Sequence, residues 1–269
     1  MLRSMYAGIS GMKGFQTKLD VVGNNIANVN TAGFKKGRVM FQDMLSQPLT
    51  GASAPTEDGT RGGVNPRQVG TGSQIGAIDT VDTQGNRQTT DRPLDVQIEG
   101  DGYFVVENGD EQFYTRAGNF YLDDDGNLVN PDGYYVLDTD GDRIEIPNEA
   151  RSLSITADGT INYNDEDGLN TDNQIGLSLF SNPGGLEKVG SNLYSATVNA
   201  QQVNEGGEYF TAGGPEGVGN LVAGALEMSN VDLSEEFTEM ITAQRGFQAN
   251  TRIITTSDEI LQELVNLKR

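Results

Sequence analysis

The chain contains no cysteine, no histidine and no tryptophan. Without cysteine it can form neither a disulfide framework nor a thiolate metal site. The absence of histidine removes the commonest general base and metal ligand, so a catalytic triad, a zinc site and a Cys–His pair are all excluded. Only carboxylates, lysines, tyrosines and hydroxyl side chains are left for chemistry, and no cofactor is predicted.

Long apolar runs are also missing. The N-terminal region holds no continuous apolar segment of the kind that a cleaved secretion signal needs, and no stretch of the chain approaches the roughly 18 apolar residues of a membrane span. If the protein leaves the cell, we therefore expect an export route that does not read a cleaved apolar signal. The net charge of −21 argues against nucleic acid and anionic membranes as partners.

The charge is distributed unevenly along the 269 residues. Residues 1–47 and 230–269 together hold 10 basic and 9 acidic residues, a net of +1, whereas residues 48–229 hold 8 basic and 30 acidic residues, a net of −22. Neutral ends can pack against copies of themselves without repulsion, and an acidic centre would keep such an assembly soluble. Two domains with different surfaces would explain the same distribution without any assembly.

Apolar residues recur at a spacing of three to four at both ends of the chain. This pattern predicts two amphipathic helices that pack against other helices. Asp232, with Glu235 three positions on, resembles a capping box and predicts the start of the second helix. The stripe of the second helix is interrupted by Gln244, Thr251 and Asp258. The stripe residues that we expect in an assembly interface are Leu2, Met5, Ile9, Met12, Leu19 and Ile26 in the first helix and Phe237, Met240, Phe247, Ile254 and Leu261 in the second.

The first stripe ends in the segment "GNNIANVNTAGFKK", which holds four asparagines within seven positions. Asparagine tolerates left-handed backbone geometry and offers both a donor and an acceptor. Asn28, Asn30 and Gly33 can end the helix and turn the chain outward into the linker. Asn24 and Asn25 would lie in its last turn, where their amides can satisfy free carbonyls or bond a neighbouring subunit. The cluster exceeds what one helix cap requires, so Asn24, Asn25 and Asn28 join the predicted interface.

Between the ends, short alternating runs such as "YFVVE", "NFYLD" and "TINYN" are separated by Asp-Gly and Asn-Gly pairs. These dipeptides are the strongest short-range signal for β-hairpins. We therefore predict an α+β fold with a mostly antiparallel β domain at residues 73–229. Residues 1–33 and 230–269 would form a terminal helical, coiled-coil domain. Residues 34–72 are predicted to be an extended linker, because their Gly/Pro/Thr-rich second half lacks periodicity.

Some segments resemble ligand sites without meeting their requirements. "DTDGDRIEIPNE" places carboxylates at positions one, three, five and twelve of a calcium loop, but Arg143 occupies position six, where the sharp turn needs glycine. A hairpin turn accounts for it better. "GTGSQIG" fails the spacing of a dinucleotide-binding loop and has no following helix. No catalytic or metal-binding residue is predicted, and we do not expect an enzyme. A secreted acidic β domain that binds calcium or carbohydrate, and a carboxylate-based hydrolase, are the alternatives from other classes.

Three groups of motifs are similar to those of a known family. "MYAGISGMKGFQTKLDVVGNNIANVNTAGFKK" near the start, "IEGDGYFVV" with "YTRAGNFYLDDDGNLVNPDGYYVL" in the middle, and "LEMSNVDLSEEFTEMITAQRGFQANTRIITTSDEILQELVNLKR" at the end resemble the signatures of the axial proteins of the bacterial flagellum, the rod and hook family. The ending is most similar to that of the short hook proteins of Bacillus-like bacteria. The distal rod protein is similar in length to this chain and is the alternative.

The resemblance implies a structural subunit that polymerises helically into a tube, with the terminal helices in an inner coiled-coil layer and the β domain outside. It implies the hook, the flexible joint that transmits motor torque to the filament, with the distal rod as the alternative. The expected partners are further copies of the chain, other flagellar axial proteins (rod, hook cap and hook–filament junction) and the type III export apparatus. The expected location is the flagellum, outside the cytoplasmic membrane after export.

Overall fold

The computed structural model of the chain describes residues 2–55, 62–109, 111–147, 152–165, 168–203, 209–214 and 217–267. The chain forms two compact units. The first contains residues 1–26, 37–79 and 232–269, and the second contains residues 27–36 and 80–231. Neither helix within the described residues is apolar enough over a sufficient length to cross a membrane.

Within the described residues, the first unit contains two long helices and four strands. These are α1 (Leu2–Ala27), β1 (Gly37–Asp43), β2 (Ser46–Thr50), β3 (Arg67–Gly70), β4 (Ser73–Thr80) and α2 (Leu233–Asn266). β1 pairs with β4, and β2 pairs antiparallel with β3. The segment that the sequence predicts to be an extended linker therefore contains three strands. Asp232 is the N-cap of α2, as predicted: its Oδ1 accepts hydrogen bonds from the N–H groups of Ser234 (2.8 Å) and Glu235 (3.4 Å).

The second unit is built from short strands. They are β5 (Arg87–Thr89), β6 (Val96–Glu99), β7 (Tyr103–Asn108), β8 (Glu111–Thr115), β9 (Tyr121–Leu122), β10 (Leu128–Val129), β11 (Tyr135–Val136), β12 (Leu153–Ile155), β13 (Thr160–Asp165), β14 (Gly168–Gln174), β15 (Leu177–Ser178), β16 (Glu187–Gly190), β17 (Leu193–Ser195), β18 (Asn220–Ala223) and β19 (Ala225–Glu227), with a 3₁₀ turn at Pro183–Gly185. The fold class is α+β with a mostly antiparallel β domain, as predicted.

The largest sheet of the second unit has the strand order β16-β17-β8-β7-β11-β10-β9, with β15 also paired to β7. Successive side chains of a strand point to opposite faces of its sheet. Accordingly Phe104 and Val106 of β7 belong to one buried cluster, with Phe120 and Leu177, and Tyr103 belongs to another, with Phe180 and Tyr194. β7 is buried on both faces and lies at the centre of the domain.

Glycine follows aspartate or asparagine at the predicted turns, and at each of these positions the backbone is left-handed. A positive φ is easy for glycine and strained for most other residues. The turns join β7 to β8, β9 to β10, β10 to β11 and β12 to β13, so the hairpin predictions are confirmed there. The Asp-Gly dipeptide at 101–102 follows β6. This strand pairs with β18 and does not form a hairpin with the strand that comes next in the chain. The glycines are Gly102, Gly109, Gly126, Gly133, Gly141 and Gly159.

Candidate assembly interface

The two long helices pack against each other as an antiparallel pair inside the first unit. A Cβ placed on Gly8 would lie 3.4 Å from Cγ1 of Ile254, and one placed on Gly246 would lie 2.6 Å from the ring of Phe15. Further along, Nζ of Lys18 lies 2.7 Å from Oε2 of Glu239. Glycine at these two positions leaves room for a side chain of the facing helix, Ile254 at Gly8 and Phe15 at Gly246.

The seam between the helices differs in register from the apolar stripes of the sequence. On α1 the buried positions are Gly8, Gly11, Gly14, Val22 and Asn25. None of them belongs to the predicted stripe of Met5, Ile9, Met12, Leu19 and Ile26, and Gly8, Gly11 and Asn25 each precede a stripe residue by one position. On α2, Ala243 and Ser257 are buried between the stripe residues Met240, Phe247, Ile254 and Leu261. The polar residues that interrupt the predicted stripe are not buried. Small and polar residues, which apolar periodicity does not count, therefore occupy most of the buried positions of the two helices.

The predicted interface residues differ in how much of their surface the chain itself covers. Asn25 is buried, and the side chain of Leu2 lies outside the described residues. Ile9, Asn24 and Phe237 are exposed, and half of the Phe237 side-chain surface is accessible. Those that are half-buried are Met5, Met12, Leu19, Ile26, Asn28, Met240, Phe247, Ile254 and Leu261.

Asn25 connects three elements of the first unit. Its Nδ2 donates to the carbonyl of Gly37 (2.9 Å) and to Oε2 of Glu236 (3.1 Å), and its Oδ1 accepts the N–H of Gly37 (3.0 Å). Both Asn25 and Glu236 are almost fully buried. The Asn25 amide therefore positions β1 and α2 against the end of α1 within the chain, and it has no exposed surface to offer a neighbouring subunit.

The segment after α1 turns as the sequence predicts. The hydroxyl of Thr31 donates to Oδ1 of Asn28 (3.1 Å), and its N–H donates to the Asn28 carbonyl (3.1 Å). Gly33 has a φ of +70°, and its N–H donates to the carbonyl of Glu227 (2.8 Å). A Cβ at Gly33 would lie 2.7 Å from the backbone nitrogen of Ala117, so this close approach requires glycine.

A buried network of charged side chains surrounds Lys35, two residues after Gly33 in the second unit. Lys35, which is 1% exposed, donates from Nζ to Oε1 of Glu227 (2.7 Å) and to the carbonyl of Thr83 (2.8 Å). Nζ is also 3.6 Å from Oδ1 of Asp82, and the guanidinium of Arg116 is 3.6 Å from Oε2 of Glu227. Two cations and two anions therefore balance each other, which is what a buried charge requires.

Neighbouring side chains enclose this network. The hydroxyl of Tyr103 donates to Oδ2 of Asp82 (2.8 Å), and burial, followed by the charge of Asp82, raises the pKa of Tyr103. Lys188 donates to the carbonyl of Lys35 (2.9 Å), and burial lowers its pKa. The network thus connects the segment that follows α1 to residues from five other parts of the chain, at positions 82–83, 103, 116, 188 and 227. Sequence reasoning missed it, because Lys35 and its partner Glu227 are 192 positions apart.

Much apolar surface of α2 lies outside the seam. A surface helix normally buries its apolar residues on one face, whereas large apolar side chains of α2 are exposed on either side of the seam. Exposed apolar side chains grouped at the two ends of a helix are typical of a protein–protein interface. The exposed residues are Leu233, Phe237, Ile241, Ile253, Ile260, Leu264, Val265 and Leu267.

The acidic segment that resembles a calcium loop is a turn. Leu137 bridges to Arg143, and the N–H of Asp138 donates to the carbonyl of Asp142 (2.8 Å). Oδ1 of Asp138 already accepts the N–H groups of Thr139 and Gln174. Among the described residues no group of three carboxylates is arranged to hold a metal ion. Glu149 lies outside those residues.

Known proteins are similar to the chain over its full length. The family profile "Flagella basal body rod protein" matches residues 5–35, "Flagellar hook protein FlgE/F/G D1 domain" matches residues 97–163, and "Flagellar basal body rod FlgEFG protein C-terminal" matches residues 222–267. The chain is 57% identical over 270 residues to the flagellar basal-body rod protein FlgG of Bacillus subtilis (strain 168), with all of both chains covered. It is 38% identical over 278 residues to the FlgG of Borreliella burgdorferi, with both chains again fully covered.

Similarity to hook proteins is lower and the alignments are longer. The chain is 30% identical to the flagellar hook protein FlgE of Borreliella burgdorferi over 448 aligned residues, with all of both chains covered. Since this chain has only 269 residues, that hook protein carries a large amount of sequence with no counterpart here. The similarity to FlgG therefore favours the rod, which was the alternative in the sequence analysis, over the hook.

Proposed function

Because the chain belongs to the family of bacterial flagellar rod and hook proteins, we propose that it is a subunit of the distal rod of the flagellar basal body. The family makes it a structural component of the flagellum. In the proposed role it has no enzymatic activity. Its copies polymerise into a tube that carries torque outward from the motor, and its other partners are the neighbouring axial proteins and the type III export apparatus.

The exposed apolar surface of α2 outside the intrachain seam is the observation that supports polymerisation. Exposed apolar residues on both sides of the seam would cost free energy in an isolated chain, at about 25 cal/mol for each Å² left in water. Copies that pack side by side through these residues would remove that surface from water. The half-buried stripe residues of α1 lie beside the seam and offer a second apolar strip for the same packing.

The choice between rod and hook depends on sequence similarity. Matches to FlgG reach 57% identity and align with the chain almost residue for residue, whereas the hook proteins align over 448 or more positions. The hook remains the second candidate because the ending from Ala243 onward resembles that of short hook proteins.

Electron microscopy of basal bodies from a strain that lacks this protein tests the proposal. We expect rods that stop short, with no hook attached, and recovery of complete rods when the full chain is supplied. Complete rods that end without a hook would instead show that the protein is the hook subunit. Normal flagella in the deletion strain would refute both functions.

A further inference from the structure

Two adjoining cavities open among the loops of the largest sheet of the second unit. One, of about 250 Å³, is lined by the loop between β8 and β9, the turn between β10 and β11 and the turn between β16 and β17. The other, of about 370 Å³, is lined by Tyr121, Val129 and Gly133. Asn130 and Pro131 line both cavities, so the two form one groove. The proposed function gives this groove no role.

Uncharged hydrogen-bonding groups line the smaller cavity. Oδ1 of Asn130 accepts the N–H groups of Asp132 (3.0 Å) and Tyr134 (2.8 Å), which fixes the orientation of the amide. Among the described residues, the side chains of Asn119 and Ser191 form no hydrogen bond within the chain, and both residues line the cavity. Amides and hydroxyls both donate and accept hydrogen bonds. The cavity therefore suits a ligand whose groups also do both.

The turn that carries Ser191 has an uncommon backbone conformation. Ser191 and Asn192 both have a positive φ, of 50° and 59°, which residues other than glycine adopt at a cost in free energy. The hydroxyl of Thr115 donates to the carbonyl of Asn192 (3.0 Å), and the Asn192 amide donates to the carbonyl of Ala32 (3.0 Å). These hydrogen bonds stabilise the turn and hold Ser191 beside the cavity.

Tyr121 gives the larger cavity an exposed aromatic wall. The residue is 44% exposed, and the guanidinium of Arg92 lies 4.3 Å from the centroid of its ring. Nη2 of Arg92 donates to the carbonyl of Phe120 (2.8 Å), so the cation is itself held in place. Arg92 therefore fixes the orientation of a ring that also lines the groove. The negative face of an aromatic ring attracts weakly positive C–H groups, such as those on the flat side of a sugar ring.

Charge and size limit what the groove can bind. Asp132 is exposed where it lines the groove, and residues 48–229 carry a net charge of −22, so an anionic ligand would be repelled. The Asp132 carboxylate can accept hydrogen bonds from hydroxyl groups. Each cavity is close to the lower end of the roughly 300–1,000 Å³ that small-molecule sites occupy, and two side by side suit a ligand of repeated units.

We propose that this groove binds a neutral oligosaccharide. One sugar ring packs against Tyr121, and the hydroxyl groups of the next ring exchange hydrogen bonds with Asn119, Asn130 and Ser191. Sugar rings combine a flat C–H side with hydroxyls that both donate and accept, which is the combination that the two cavities offer. The inference goes beyond the proposed function and does not depend on it. A segment of a second copy of the chain is the competing occupant.

NMR titration of the full chain with cellotetraose, maltotetraose and chitotetraose tests the proposal. We expect at least one of them, at millimolar concentration, to shift the side-chain amide signals of Asn119 and Asn130. The corresponding monosaccharide should bind about tenfold more weakly, because it fills only one cavity. The assignment is overturned if none of the three shifts these signals, or if the monosaccharide binds equally well. Signals that move with protein concentration and not with sugar identify a second copy as the occupant and also overturn it.

Matched variants test which residues bind the sugar. Asn119→Ala and Tyr121→Ala should each weaken binding about fivefold, because each removes one contact with the ligand. The controls are Asn108→Ala, an exposed asparagine at the far end of the β7–β8 hairpin, and Tyr6→Ala, an exposed ring on α1. Both should leave the affinity unchanged. Thermal melting of each variant separates lost binding from lost folding. A folded Asn119→Ala variant with wild-type affinity, or a control that weakens binding as much, contradicts the site.

Discussion

Lys35 and Lys36 are neighbours with the same side chain and different surroundings. Lys35 is enclosed with Glu227, Asp82 and Arg116, while Lys36 is only half-buried and is held through its backbone N–H, which donates to Oδ1 of Asn230 (2.8 Å). A buried ion pair adds little stability by itself, but removing one partner leaves an uncompensated charge in a poorly polarisable interior. The two lysines therefore form a matched pair for mutation.

We expect Lys35→Met to lower the free energy of unfolding of the β domain by about 3–5 kcal/mol, because Glu227 and Asp82 lose their closest cation. Lys36→Met should cost less than about 1 kcal/mol, as substitutions of partly exposed groups usually do. Urea unfolding of both variants, followed by tyrosine circular dichroism, measures the difference. Equal losses would contradict a structural role for the buried network.

The sequence could not distinguish these two lysines. Charge and residue type are the same, and the partners of Lys35 come from segments that only the fold brings together. Asn25 is a second example. The asparagine cluster predicted the end of α1, but it did not predict that the Asn25 amide would form hydrogen bonds with both β1 and α2. Gly33 was recognisable because a left-handed turn after a helix has a local sequence signal, whereas buried polar pairs have none.

Among the elements, the two helices were predicted from apolar periodicity, and both form. Their mutual register could not be predicted, because the seam uses Gly8, Gly11, Ala243 and Ser257, and apolar periodicity gives such residues little weight. Some stripe residues, such as Ile254, contact the other helix, whereas others, such as Ile9 and Phe237, are exposed and available to other copies. Within the predicted linker, β2 and β3 lie in the Gly/Pro/Thr-rich half, which lacks the alternation that predicts strands. β1 lies in the other half, where no strand was predicted.

Two glycines of the helices test this packing. Gly246→Ala brings a methyl group against the ring of Phe15, which itself packs on Phe41 with 5.7 Å between ring centroids, and overpacking costs about 1–3 kcal/mol. Gly23→Ala meets nothing within 4 Å and should gain up to about 1 kcal/mol from better helix propensity. Thermal melting of the full chain, followed by its helical circular dichroism, should move in opposite directions for the two variants. A rise for both would mean that α1 and α2 do not pack in the free subunit.

The tyrosines of the β domain predict a loss of stability at alkaline pH. Burial raises the pKa of Tyr114 to about 12, and burial also raises the pKa of Tyr194 and Tyr209 in the same cluster. The unfolded chain ionises its tyrosines near pH 10 while the folded chain keeps these phenols neutral, so the contribution to stability is complete below pH 10 and is lost as pH rises toward 12. The urea midpoint should fall across this range.

Substitution identifies the contribution of one phenol to that pH dependence. Tyr114→Phe cannot ionise, so its urea midpoint should fall less between pH 9 and pH 12 than that of the wild-type chain. Its baseline stability should also drop, because the amide oxygen of Gln202 loses its hydrogen bond of 3.0 Å. Tyr6→Phe is the control, since Tyr6 is 69% exposed and should leave the pH profile unchanged. A Tyr114→Phe profile identical to wild type would show that burial of this phenol is not what makes the fold sensitive to alkali.

For the whole molecule, the separation of charge governs how copies come together. The segments at the two ends are nearly neutral, with a net of +1, and residues 48–229 carry a net of −22. Copies that associate through their terminal helices must therefore bring strongly acidic domains near one another. An exposed attractive ion pair between copies contributes less than about 1 kcal/mol, so the mutual repulsion of the acidic domains is the larger effect.

Salt should therefore promote assembly of the purified subunit. The Debye length falls from about 30 Å at 0.01 M to about 3 Å at 1 M, which screens the repulsion between the acidic domains and leaves the apolar contacts in place. Sedimentation at increasing sodium chloride concentrations should give a falling critical concentration for polymer. In the variant Glu99→Gln/Glu111→Gln/Glu187→Gln, which removes three exposed negative charges, the critical concentration at low salt should be lower and its dependence on salt weaker. A variant that keeps the full salt dependence would mean that salt acts on the apolar contacts, and a critical concentration that rises with salt would mean that attractive ion pairs hold the polymer together.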